Sequence, residues 1–235
     1  MSIASQIELV YERIGRACRR AGRNPEEVQL VAVTKTVDVA RIEEAIAAGI
    51  ETVGENRVQE AWPKFQVIGN RVRWHMIGHL QTNKVKRALQ FAEVIQSVDS
   101  VHLAQEIQKQ AEKLDRAVEV LIEVNTSGES SKFGFSPESV LEGVQQIASL
   151  SRLRVKGLMT IGAFLPDPND VRPCFQLLRR LRDKIAARGL DGVEMDVLSM
   201  GMTDDFEVAI EEGSTMVRIG RLIFGERPQP VTQGV

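Results

Sequence analysis

The chain has 235 residues, 43% of them hydrophobic, which is enough for a packed core and too apolar for a disordered chain. Thirty Lys and Arg against 32 Asp and Glu leave a formal net charge of −2, so no bulk charge draws it to nucleic acid or to an anionic membrane. The two distant cysteines, Cys18 and Cys174, the absence of a signal peptide and the lack of any apolar run near the ~20 residues that cross a bilayer predict a soluble protein in a reducing cytoplasm.

The first element is a helix over residues 3–21, where Ile7, Val10, Ile14, Ala17, Cys18 and Ala21 recur at helical spacing and Gly22 stops the run. Arg13, Arg16, Arg20 and Arg23 line one side of it and read as a solvated face. Alternation follows. A β-rich run at 28–35 leads, with Asp38 as N-cap, into a helix that ends at Gly49. Strands at 51–54, 73–77 and 93–98 alternate with helices at 56–68, 82–90 and 101–114. A fifth strand at 118–124 is followed by Gly128 and Gly134, then by a helix opened by Ser136-Pro137. A sixth strand at 153–159 precedes a helix at 170–188, whose Leu177, Leu178, Leu181 and Ile185 form a core stripe. A seventh strand at 195–198 precedes a helix at 203–212, and an eighth at 215–218 precedes a short helix after Gly220. Strands alternating with helices imply parallel βαβ units. Eight of them predict one (β/α)8 TIM barrel over residues 1–235, an α/β fold with an extra N-terminal helix. A doubly wound open sheet is the alternative, and the count favours the barrel.

Barrel enzymes carry their sites at the C-terminal ends of the strands. Lys35 stands there, a cation at the tip of the apolar run Val31-Ala32-Val33-Thr34, where a desolvated amine becomes a nucleophile fit for a Schiff base. Across the predicted mouth, Ser199-Met200-Gly201 after strand seven and Arg218-Ile219-Gly220 after strand eight supply a hydroxyl, backbone N–H groups and a guanidinium suited to a phosphate. Asp204 and Asp205 fall in the first turn of the following helix, so the anion is expected on the Met200–Gly201 backbone. Lysine plus phosphate cradle fits pyridoxal phosphate or a cofactor-free sugar-phosphate aldolase. His75, His79 and His102 read as core or rim residues, with no metal site. Lys84 and Lys132 read as loop lysines on the same face.

Longer strings then carry a resemblance. They are Val31-Ala32-Val33-Thr34-Lys35, residues 54–60 (GENRVQE), 75–84 (HMIGHLQTNK), Val124-Asn125 with Lys132-Phe133-Gly134, 157–161 (GLMTI), 198–206 (LSMGMTDDF), and Val217-Arg218-Ile219-Gly220 with Phe224-Gly225-Glu226-Arg227. The sequence closely resembles the pyridoxal phosphate homeostasis proteins of the YggS/PROSC type, in order and over nearly the whole chain. The resemblance implies a barrel like the N-terminal domain of alanine racemase, pyridoxal phosphate fold type III, with pyridoxal 5′-phosphate held as an aldimine on Lys35. It implies phosphate contacts from Ser199, the Met200–Gly201 backbone and Gly220, next to Ile219. By the same resemblance Arg218 looks like a cofactor contact, with the phosphate or the pyridine nitrogen as its target, and Asn56 looks like part of the pocket wall. Thr203 stands where many relatives have serine and keeps a hydroxyl.

The same resemblance implies action in vitamin B6 and amino-acid homeostasis without an established catalytic reaction, so no catalytic residue is assigned. Racemases of this barrel type pair the lysine with a tyrosine base from a second domain across a dimer. Here Tyr11, on the opening helix, is the one tyrosine, and the chain ends soon after the eighth strand, where that domain would follow. An amino-acid racemase or related pyridoxal phosphate enzyme is the alternative function and an aldolase the third. Recipient apo-enzymes or a regulatory protein stay open as partners, and the balanced surface predicts a monomer.

Overall fold

Among the described residues, eight parallel strands close on one another in chain order: β1 (Gln29–Val33), β2 (Thr52–Glu55), β3 (Arg73–Met76), β4 (Val94–Val98), β5 (Val118–Glu123), β6 (Leu153–Met159), β7 (Val193–Ser199) and β8 (Met216–Ile219). The computed structural model describes residues 1–163 and 165–226, so Arg227 of the last motif lies outside the described residues. β8 pairs back onto β1, with Val31 opposite Arg218 and Ala32 opposite Ile219, which removes the exposed edges an open sheet would keep.

The helices are α1 (Ile3–Arg20), α2 (Val39–Ala47), α3 (Val58–Ile68), α4 (Val85–Ala88), α5 (Val101–Lys113), α6 (Val140–Ala148), α7 (Arg172–Ala186), α8 (Phe206–Glu211) and α9 (Arg221–Phe224). Asp38 caps α2 by accepting the Arg41 N–H at 3.0 Å. The main core lies between strands and helices, where Trp74, Phe175 and Phe206 are fully buried. A second cluster fills the barrel interior with Val31, Val94, Leu121, Met159 and Met216. None of the helices is long and apolar enough to cross a membrane, among the described residues.

Several boundaries depart from the sequence reading, four of them for a local reason. α6 begins at Val140 and not at Pro137, because Ser136 Oγ accepts the Ser139 N–H at 3.2 Å and the chain turns there. β1 stops at Val33, because Thr34 and Thr36 turn the chain: Val37 N–H donates to Thr34 O at 3.0 Å and Thr36 takes a φ of +62°. The helix expected over 82–90 is a 3₁₀ turn at Thr82–Lys84 followed by the single turn of α4. α8 begins at Phe206 and not at Thr203, because the Asp205 carboxylate accepts the Met202 N–H at 2.6 Å and holds the preceding residues in a turn.

The arginines of α1 are also corrected. Arg13 bonds Glu207 at 2.6 Å, Arg20 bonds Glu207 and Glu211 at 2.8 Å each, and Arg23 donates to the carbonyls of Ile210 and Ser214. Arg13, Arg20 and Arg23 therefore strap the extra helix to α8 and its following loop, while Arg16 stays exposed as expected.

Candidate functional site

Side chains on a barrel strand point in and out alternately. The inner cluster contains Val31, Val94, Leu121 and Met216. Two residues further along each strand come Val33, Gln96, Glu123 and Arg218, and two further again on three of them come Lys35, Asn125 and Gly220. The site is thus the upper two layers of the barrel interior, where apolar filling gives way to polar side chains.

The lower polar layer is a chain of hydrogen bonds. Arg218, only 4% exposed, donates to Ser199 Oγ at 2.6 Å and to Thr160 O at 2.7 Å. Ser199 Oγ donates in turn to Gln96 Oε1 at 2.6 Å, and Gln96 Nε2 donates to His75 Nδ1 at 2.8 Å. That pattern places the His75 proton on Nε2, a buried atom without a partner among the described residues. Burial pushes the His75 pKa down to about 3, so the ring is neutral. Burial also lowers Arg218 to about 10, against the pull of Glu123 and Asp205, and it stays charged at neutral pH. Glu123 is 4% exposed and is pushed up to about 7, first by burial, then by Asp99, with Arg218 opposing.

The turn that carries Lys35 is fixed on both sides. Thr34 N–H donates to Gly54 O at 3.0 Å and Thr34 Oγ1 to Glu55 Oε1 at 2.7 Å. Lys64 Nζ donates to Thr34 O and to Glu55 Oε1, both at 2.7 Å. Glu55 is wholly buried, and burial raises its pKa while Lys64 and Thr34 pull it down.

Two cavities of about 320 and 700 Å³ open at this end of the barrel, and Val33, Lys35, Met202 and Arg218 border both. The first presents Asn56, Glu123, Thr126 and Thr160 between Ile77 and Ile161. Asn56 Oδ1 there is buried without a partner among the described residues. The loop after β5 roofs it: the Phe133 ring stacks on His79 at 3.7 Å, and Lys132 Nζ bonds Gly162 O at 2.6 Å. His79 also meets Asp99 at 2.7 Å. The second cavity presents Thr203, Asp204, Gly220 and Arg221, with Arg221 bonded to Asp204.

The sequence-selected residues divide accordingly. Lys35, Asn56, Arg218 and Gly220 border cavities. Ser199, Met200, Gly201 and Ile219 are buried beneath them. The Met200 N–H is taken by Met216 O at 3.1 Å. Gly201 takes φ +94°, and a Cβ there would fall 2.6 Å from the Ala209 Cβ, so packing against α8 already demands glycine. Asp204 and Asp205 precede α8, where the sequence put them in its first turn. Gln96 and Glu123 were missed, although each sits at the same alternate spacing from an inner apolar residue as Arg218 does. Among the described residues no cluster of His, Cys, Asp and Glu could hold a metal.

Comparison with known proteins gives a consistent picture. The family model described as alanine racemase, N-terminal domain, matches residues 10–228. The pyridoxal phosphate homeostasis protein of Aquifex aeolicus (strain VF5) is 46% identical over 228 residues, covering 97% of this chain and 99% of that protein. A Bifidobacterium adolescentis protein of known structure superimposes with a TM-score of 0.89 at 41% identity, over 94% of each chain. PipY of Synechococcus elongatus PCC7942, solved with PLP bound, gives a TM-score of 0.83 at 30% identity, over 95% of this chain and 100% of that one.

Proposed function

Because the chain belongs to the alanine racemase N-terminal-domain family and to the pyridoxal phosphate homeostasis proteins, we propose that it binds pyridoxal 5′-phosphate and holds it covalently through Lys35. In this reading it buffers the cofactor in vitamin B6 and amino-acid homeostasis, in a reducing cytoplasm, and runs no reaction of its own. The carrying observation is that one amine, Lys35, and one buried cation, Arg218, border both cavities at once. Bound there, the cofactor supplies an aldehyde that bonds reversibly to an amine, and a phosphate dianion.

The chain's residues fit such a group. Asn56 Oδ1, beside the smaller cavity, is buried without a partner among the described residues, which is costly unless a ligand satisfies it, and Glu123 lines the same cavity. Gly220, Thr203 and Arg221 border the larger cavity with backbone N–H groups, a hydroxyl and a guanidinium suited to a phosphate. Ser199 acts by fixing Arg218, while Met200, Gly201 and Ile219 shape the floor. Glu55 and Lys64 hold the Lys35 turn in place.

The same geometry argues against a two-base racemase. Tyr11 is 46% exposed on α1, and its phenol is raised by burial and by Glu51, which leads into β2 at the end of the barrel opposite the mouth. A second proton carrier of tyrosine type is therefore far from Lys35.

The test is spectroscopic and functional. Purified protein mixed with pyridoxal phosphate is expected to gain a visible absorbance band that Lys35→Ala lacks, and the loaded protein to activate an apo-enzyme faster than free cofactor does. A protein that stays colourless contradicts the binding reading. Steady exchange of the amino-acid α-proton into heavy water contradicts the carrier reading.

A further inference from the structure

Glu123 is the residue of this mouth that the fold leaves without employment. Its carboxyl borders the cavity that holds Lys35, is 4% exposed, and makes no hydrogen bond to any described residue. Its acidic neighbours are engaged: Asp99 with His79 and Ser100, Asp205 with the Met202 N–H. A carboxyl on the cavity wall with no hydrogen bond among the described residues keeps its proton or its charge available to whatever occupies the cavity.

We propose that Glu123 is the proton-transfer group for the covalent capture and release of an aldehyde by Lys35. This rests on the reading of Lys35 as the cofactor anchor. On capture, the neutral Lys35 nitrogen attacks the carbonyl carbon, a C–N bond forms as the C=O π pair moves to oxygen, and that oxygen becomes a hydroxyl by taking the proton the nitrogen sheds. Glu123 then protonates that hydroxyl, the C–O bond breaks, and water leaves. The nitrogen keeps a double bond to carbon and returns its proton to Glu123 by way of the cavity. Amine and aldehyde thus give the linked product and one water, with no oxidant or reductant. Release is the reverse, with Glu123 carboxylate drawing the proton from the attacking water.

The charged and titratable groups around Glu123 suit this role. Asp99 beyond β4 opposes its ionisation, and Arg218 on β8 favours it. Lys35 beyond β1 and Lys132 on the loop after β5 share its cavity, and His79 beyond β3 is bonded to Asp99. The balance holds its pKa at about 7, where an acid both gives and takes a proton readily. The rival role is counter-ion to Arg218. No ion pair within 4 Å joins them, and the two guanidinium bonds go to Ser199 and Thr160 O.

The experiment is stopped-flow absorbance of wild type, E123Q and E123A mixed with pyridoxal phosphate, with release followed by transfer to excess apo-enzyme. Expected is a fall in both rates together by ~100-fold, larger than any change in Kd, and recovery of both rates in E123A on adding formate. The wild-type capture rate is expected to follow a group titrating near pH 7, a readout that needs no variant. Unchanged rates, a weakened Kd with an unchanged capture rate, or a flat wild-type pH profile overturns the proposal. A wild type that captures no cofactor overturns the anchor reading itself, whereas normal capture with indifferent E123Q overturns only the role of Glu123.

Discussion

Lys64→Met is expected to destabilise the protein strongly, and in a pH-dependent way. Among the described residues Lys64 is the one cation bonded to Glu55, at 2.7 Å, with side-chain exposures of 11% and 0%. Removing one member of a buried pair strands the other charge and costs about 3–5 kcal/mol. For a chain of this size each kcal/mol moves Tm by roughly 2–4 °C, so the loss is roughly 6–20 °C at pH 7.5. Glu55 already has a pKa raised above 4.5 by burial, and losing Lys64 removes its largest opposing influence. A raised carboxyl contributes full stability below its free value and loses it as pH climbs towards the folded value. Lys64→Met is therefore nearly as stable as wild type near pH 4.5 and weakest above neutrality. The double variant K64M/E55Q is expected to recover part of the loss at pH 7.5, since no charge is then stranded. Thermal unfolding at the two pH values decides it. A loss under ~2 °C at pH 7.5, or one equal at both pH values, refutes the reasoning.

Three further outcomes follow from the same geometry. Gly157→Ala puts a Cβ 1.9 Å from Val197 O where β6 and β7 shift register, and is expected to cost ~3 kcal/mol or more, measured as the urea midpoint. Arg218→Lys cannot span Ser199 and Thr160 O as a fork does, so absorbance titration should show cofactor affinity reduced by ~10-fold or more, close to that of Arg218→Met. Glu123→Gln removes a carboxyl whose folded pKa is about 7 against 4.5 when free. Wild type loses stability through this group as pH rises from about 4.5 to 7, so the variant should gain ~3 kcal/mol relative to wild type over that window, read from urea unfolding at each pH.

The fold was legible because its signal is repetition. Eight apolar runs separated by helical spacing survive errors of two or three residues at each end, and the closed barrel keeps all eight. Boundaries were less legible wherever a side chain competes with the backbone. Asp205 delays α8 by taking the Met202 N–H, and Thr34 ends β1 by turning to Glu55. Lys35 was visible as a charge at the end of an apolar strand. Glu123 shows the same pattern in Leu121-Ile122-Glu123, but it is followed by Val124, so the run stays apolar on both sides and only the inward face of its alternation marks the carboxyl as a site residue. Gln96 is polar inside a buried strand and was equally readable by alternate spacing. What no spacing reveals is the contact across the barrel: that Ser199 spends its hydroxyl on Gln96 and Arg218 depends on three strands meeting, 103 and 19 residues apart. Arg13 and Arg20 depart from a solvated face for the same reason, since their partners lie some 190 residues on.

Reductive trapping tests the central claim most directly. The protein is mixed with one equivalent of pyridoxal phosphate, treated with borohydride, digested and mapped by mass spectrometry. The account predicts a single modified peptide carrying the reduced adduct on Lys35, and none in Lys35→Ala. An unmodified Lys35, with label absent or spread over surface lysines, contradicts it.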